Sequence, residues 1–166
     1  MNHSPSITAI QRIVFTLIVC SLAGAASAHV EPAIEESATV VPAHEKAVAQ
    51  ELGMDGPTET KGVGESKVLG VIPLADEIPG MADRRMRARE LTLLPGGVVA
   101  VHQHIQRPGI AYLVEGTLIE HRNDRDDPVV HQAGGAAFES SGIIHWWINE
   151  SAESAKVVVV DIVRAE

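Results

Sequence analysis

Gly96-Gly97-Val98-Val99-Ala100-Val101-His102-Gln103-His104 is an apolar run that ends in two histidines separated by one residue. Its composition reads as extended chain. Side chains at i and i+2 of a strand share a face. His102 and His104 therefore point the same way, and Val98 and Ala100 on that face turn it toward an interior. Two imidazoles side by side on an inner face are costly unless something uses their lone pairs. A metal ion does so directly, taking ring nitrogens at about 2.0–2.2 Å. The competing reading is a pair of hydrogen-bonded core histidines, and H-x-H alone is too short to separate the two.

On either side of this run the same pattern continues. Val68 to Leu74 and Arg84 to Leu94 precede it, punctuated by Pro79-Gly80 and Pro95-Gly96-Gly97. Ile110 to Arg122 follows, then the turn cluster Asn123-Asp124-Arg125-Asp126-Asp127-Pro128. Val129 to Gln132, Ala136 to Glu139, Ile143 to Ile148 and Ala155 to Val163 complete the series. Short apolar runs between Gly, Pro and Asp/Asn clusters are the signature of an all-β sandwich or barrel. Arg85, Arg87 and Arg89 alternate and are expected on a solvent-facing edge, with an anion-binding role as the alternative. Trp146 and Trp147 are adjacent, so they face opposite sides. One belongs in the core and the other at the pocket mouth or a subunit contact.

Before Lys67 the chain is different. Arg12 is the only charged residue before Glu31, and Ile13 to Leu22 is apolar, leading to small residues that end in Ala26-Ser27-Ala28. A positive start, a short apolar core and an A-x-A site describe a secretory signal peptide over residues 1–28. The run is short for a membrane span of about 20 residues, so no stable membrane anchor is expected after cleavage. Cys20 follows Val19, where a lipoprotein signal wants a small residue. Residues 29–66 hold eight Asp/Glu against two Lys, with Pro32, Pro42 and Pro57. A short helix fits Ala43 to Leu52. The segment lacks a long apolar stripe and reads as a flexible acidic linker. His29 would become the first residue of the mature chain, where an amine and a ring can chelate copper, but an accident of the cleavage site is the favoured explanation. The folded domain is then 67–166, in a periplasmic or secreted protein.

Composition narrows the partners. The chain has 166 residues, a formal net charge of −9 and one cysteine. Nucleic-acid binding is not expected, because neutralising phosphates needs a basic face. One cysteine excludes an intrachain disulfide framework. There is no glycine-rich phosphate loop.

Spacing beyond the two histidines is specific. Gly96 precedes His102 by six positions, and Gly116 follows His104 by twelve. Farther on stand Gly134, Ser140, Gly142, His145 and Asn149. In these residues the chain resembles the cupin superfamily. The family's first motif runs glycine, five residues, H-x-H, three or four residues, glutamate, six residues, glycine. Its second runs glycine, five residues, proline, one, glycine, two, histidine, three, asparagine. Both are in register here, with Ser140 in place of the proline. The resemblance covers most of 67–166 and implies a double-stranded β-helix, a jelly-roll barrel with a central pocket. It also implies a divalent transition metal (Fe, Mn, Cu, Ni or Zn) held by His102, His104 and His145, and a homodimer. One departure stands out: the glutamate of the first motif falls on Gly109.

Two functions fit. One is a metal-dependent enzyme, a dioxygenase among the options, acting on a small organic molecule. The other is a non-enzymatic module that binds a small molecule or a metal. A structural barrel whose histidines bond one another ranks below both. No catalytic residue is assigned. Arg107, in the loop where the glutamate is missing, is the candidate for substrate contact. Glu115 is expected in solvent, and the reach of Glu120 is not defined by the sequence. His121 and His131 are expected at the surface or beside the site. Ligand histidines must be neutral, so metal binding is expected to weaken below about pH 6.

Overall fold

A computed structural model of the chain describes Met1 and residues 40–165. The expected signal peptide, Cys20 and His29 lie outside the described residues. Among the described residues one helix, α1 (Ala43–Glu51), precedes eight strands: β1 (Lys61–Pro73), β2 (Arg84–Gln103), β3 (Gly109–Glu115), β4 (Thr117–Arg122), β5 (Val129–Gln132), β6 (Ala136–Glu139), β7 (Ile144–Ile148) and β8 (Ala155–Arg164).

All strand pairs are antiparallel, in the order β5-β4-β7-β2-β8-β3-β6, with β1 added beside β2. β5 and β6, the two ends of that path, are consecutive in the chain and joined by the turn at 133–135. The sheet therefore curls into a nearly closed barrel, the arrangement expected of a jelly roll. Its interior holds Leu91, Leu93, Val99, Leu113, Leu118, Trp147, Val157 and Val159. The strict alternation of buried residues with half-buried or exposed ones along β8 puts Val157, Val159 and Asp161 on the inner face.

The break expected at Pro95-Gly96-Gly97 does not end a strand. β2 runs through it, pairing with β8 over Arg84 to Leu93 and with β7 over Val98 to Gln103. Ile110 to Arg122, read as one run, divides at Gly116 into β3 and β4. Gly116 has φ of 81°, and a Cβ there would lie 2.9 Å from the Ala155 Cα, so only glycine serves this turn.

Two further expectations are corrected. Residues 40–66 are not a free spacer leading to Lys67. The helix expected near residues 43 to 52 is present, but it is seated on the barrel. Val41 is in the core, Ala49 packs with Val101 and Ile144, and β1 begins at Lys61. The signal is a sparse one, spread over Val41, Glu45 and Ala49, which a search for a long apolar stripe passes over. The second correction concerns Arg85, Arg87 and Arg89, which are buried rather than on a solvent-facing edge. They continue inward from Leu91 and Leu93 at period two, and Asp161 on β8 stands directly opposite Arg87. Arg87 reaches the Asp161 carboxylate with two nitrogens, at 3.0 and 2.8 Å.

Candidate metal centre

The local irregularity in β2 sets the site. Val99 pairs with Trp147 and His102 with His145, so Ala100 and Val101 stand against the single residue Trp146. A β-bulge of this kind re-aims side chains. Val99, His102 and His104 line the central cavity, whereas Val101 packs outside it with Ala49 and Ile144. The inward set is thus not Val98, Ala100, His102 and His104, as unbroken alternation requires. Gln103 is buried but does not line the cavity.

His145 on β7 completes the group. The three Nε2 atoms are mutually close: His102 to His104 3.1 Å, His104 to His145 2.9 Å, and His102 to His145 3.1 Å. All three rings are buried. Each Nδ1 has a partner that accepts. Nδ1 of His102 donates to the Ala100 carbonyl at 2.8 Å, and Nδ1 of His104 to the Arg107 carbonyl at 3.1 Å. Nδ1 of His145 donates to Oε1 of Glu120 at 2.6 Å. With each neutral ring carrying its proton on Nδ1, every Nε2 presents a lone pair. Three lone pairs then face one another with no donor between them.

That arrangement fits a metal ion. Three ligand nitrogens at about 2.1 Å from an ion and about 90° apart are spaced about 3.0 Å. His102, His104 and His145 form a three-residue group able to hold a metal among the described residues. Burial, reinforced by His145 and His104, pushes His102 well below its ordinary pKa. Burial and then the Arg107 charge hold His104 down at about 2. Neither ring needs a metal to stay deprotonated at neutral pH.

Acidic groups surround the triad. Burial tends to raise the Glu120 pKa, but hydrogen bonds from His131 and His145 prevail and hold it at about 2. Nε2 of His131 donates to Glu120 Oε2 at 2.8 Å, and Arg122 to Oε1 at 3.0 Å. This chain from His131 through Glu120 to His145 orients the ligand ring, as outer carboxylates do in metal sites. His121 instead stacks on Trp146, with ring centroids 3.8 Å apart. Trp147 is the core member of the pair and lines the cavity.

Arg107 is buried and committed elsewhere. It donates to Glu45 at 2.6 Å and to Asp161 at 2.8 Å. Its Nε also meets Glu45. Burial works against its charge, yet the Glu45 hydrogen bond and the charges of Glu45, Asp161 and Glu139 together outweigh it and raise its pKa. Glu139 on β6 is not singled out by motif spacing. It is buried beside the triad, 3.4 Å from Nδ1 of His104 and 3.8 Å from Nε2 of His145. Burial raises its pKa. The available signal is period two: Glu139 follows core-facing Ala137 by two positions.

The cavity against His102 and His104 has about 40 Å³ of free space. Water needs roughly 10–15 Å³ in this measure, so the space suits a group of few atoms. Leu91, Leu93, Val99, Leu118 and Val157 make its walls apolar, with Glu139 and Arg89 the charged exceptions.

A family model described as Cupin domain matches residues 89–161. No curated protein matches the chain. Among solved structures, it is similar to a protein of Thermus thermophilus, 29% identical over 57% of this chain and 82% of that one, with a TM-score of 0.42. KdgF from a Halomonas species is 18% identical over 65% and 87%, with a TM-score of 0.48. A predicted oxalate decarboxylase from Thermotoga maritima is 22% identical over 63% and 98%, with a TM-score of 0.42. Residues 89–161, which contain both H-x-H and the His145 motif in register, match the Cupin domain family, and this part of the chain is a domain of the cupin superfamily.

Proposed function

We propose that the chain binds one divalent transition metal through Nε2 of His102, His104 and His145 and acts on a small organic molecule in the adjoining cavity. One observation carries the reading: three buried Nε2 lone pairs converge within 3.1 Å while each Nδ1 is held by an acceptor. A bound divalent ion supplies Lewis acidity and, for iron, manganese or copper, dioxygen chemistry. The protein's own part is to fix the three rings, keep them neutral and surround the space beside them with apolar walls. In keeping with the superfamily, the barrel is a double-stranded β-helix. Residues 1–28 direct the chain to the periplasm or outside, which N-terminal sequencing of the cell-derived protein tests.

The commitment of Arg107 favours a second reading. Its nitrogens face Glu45 and Asp161, so it is not poised for a substrate carboxylate. A module that holds a metal and a small neutral ligand without turnover fits that loop equally.

Elemental analysis of the purified protein beside a His102→Ala/His104→Ala double variant tests the metal. The expected result is near-stoichiometric metal in the parent and none in the variant. No metal in either, after reconstitution with each divalent ion in turn, overturns the reading.

A further inference from the structure

We propose that Glu139 supplies a carboxylate ligand to this metal, entering from β6 the space left open at Gly109. The inference rests on the three-histidine reading above and adds a fourth protein ligand to it. Glu139 and Gly109 are direct cross-strand partners. A Cβ placed on Gly109 would lie 3.2 Å from Oε2 of Glu139. The glycine thus leaves room for a carboxylate that arrives from the neighbouring strand.

The carboxylate is buried, and its Oε2 makes no hydrogen bond. A buried carboxyl oxygen without a hydrogen-bond partner is costly. Oε1 lies 3.8 Å from Nε2 of His145. Ligand atoms on one ion are spaced about 3 Å, so Oε1 is short of that position by about 1 Å. Three neutral imidazoles bring a divalent ion no negative charge among its direct ligands, and Glu139 as a carboxylate ligand brings one.

The donor set also sets a preference. Carboxylate oxygen suits manganese, whereas imidazole alone suits zinc well. Loss of Glu139 as a ligand therefore weakens Mn²⁺ more than Zn²⁺. Loss of a purely structural Glu139 weakens both equally or neither.

The test is titration of the metal-free full chain with Mn²⁺ and with Zn²⁺, for wild type, Glu139→Gln, Glu139→Asp and the His102→Ala/His104→Ala variant. Circular dichroism establishes that each is folded. Glu139→Gln is expected to raise the Mn²⁺ Kd at least tenfold and the Zn²⁺ Kd by less, with one ion still bound at saturation. Glu139→Asp, which keeps the carboxylate on a shorter arm, recovers part of the lost Mn²⁺ affinity. Wild-type Mn²⁺ affinity in Glu139→Gln, or equal losses for both ions, overturns the assignment of Glu139 and leaves the histidine site standing. Failure of the wild type itself to bind either ion overturns both.

Discussion

Glu120 Oε1 and His145 Nδ1 are joined by a 2.6 Å hydrogen bond that points the opposite nitrogen of the ring at His102 and His104. The carboxylate is held by two histidines and Arg122, so it is a fixed anchor rather than a swinging arm. Removing such an outer partner typically costs 10–100-fold in metal affinity. Glu120→Ala is expected to lose affinity by about that factor while retaining one ion at saturation. Titration of the metal-free variant with a divalent ion measures this. Unchanged affinity would show that packing alone orients His145.

Acid should destabilise the metal-free protein in two stages. His102 and His104 have pKa values below the ordinary 6.5, so the unfolded chain binds protons that the folded one refuses. Their contribution is complete above pH 6.5 and declines as pH falls toward the folded values. At pH 5 the loss is about 2 kcal/mol for His104, and His102 adds to it in the same direction. Glu120 adds a second stage, because its folded pKa of about 2 makes its contribution decline below pH 4.5. Thermal melts of the metal-free protein from pH 8 to pH 3 should show both. A melting temperature that stays flat between pH 7 and pH 5 would contradict this account.

Glu45 ties the N-terminal segment to the barrel through Arg107. Both side chains are buried, and Arg107 is left facing only Asp161 among its hydrogen-bonded carboxylates if Glu45 is removed. Breaking a buried pair from one side costs about 3–5 kcal/mol. Glu45→Ala is expected to lose about that much in urea denaturation. A chain beginning at Lys67 would also lack Val41, Ala49 and half of β1, and should not fold stably. A shift below about 0.5 kcal/mol for Glu45→Ala would place the pair among surface interactions.

The strands and the three histidines were legible because each signal is local and periodic. Val129 to Gln132 and Ala136 to Glu139 have the boundaries read from turn residues alone. His102, His104 and His145 follow from motif spacing, and the structure brings their nitrogens together. Pairing between distant segments was not legible. Arg87 and Arg89 look like an exposed charged edge until Asp161 is placed against them across a strand pair. Glu45 belongs to a stretch that reads as acidic spacer, and only Arg107, far along the chain, explains its burial. The phase of β2 also depends on a bulge opposite Trp146, which composition does not announce.

Asn149 and His145 belong to one motif but carry different loads. Asn149 is fully buried, and its amide donates to the carbonyls of Leu93 and Glu153 at 3.0 and 2.8 Å. Its oxygen accepts from the Ser151 backbone and hydroxyl. Backbone bonds from Gly96 N to Asn149 O and from Asn149 N to Gly97 O tie this turn to the bend in β2. Asn149→Ala leaves the buried Leu93 carbonyl without this donor, worth about 1–3 kcal/mol, while the Glu153 and Ser151 groups are part-buried and reach water. The expected outcome is a loss of about 1–3 kcal/mol in urea denaturation, with metal stoichiometry preserved in the molecules that remain folded. His145→Ala should do the reverse at the site, abolishing tight metal binding while leaving the Asn149 bonds intact. Measuring metal content and unfolding midpoint on both variants separates scaffold from ligand. A variant of Asn149 that loses metal without losing stability would move this residue into the centre itself.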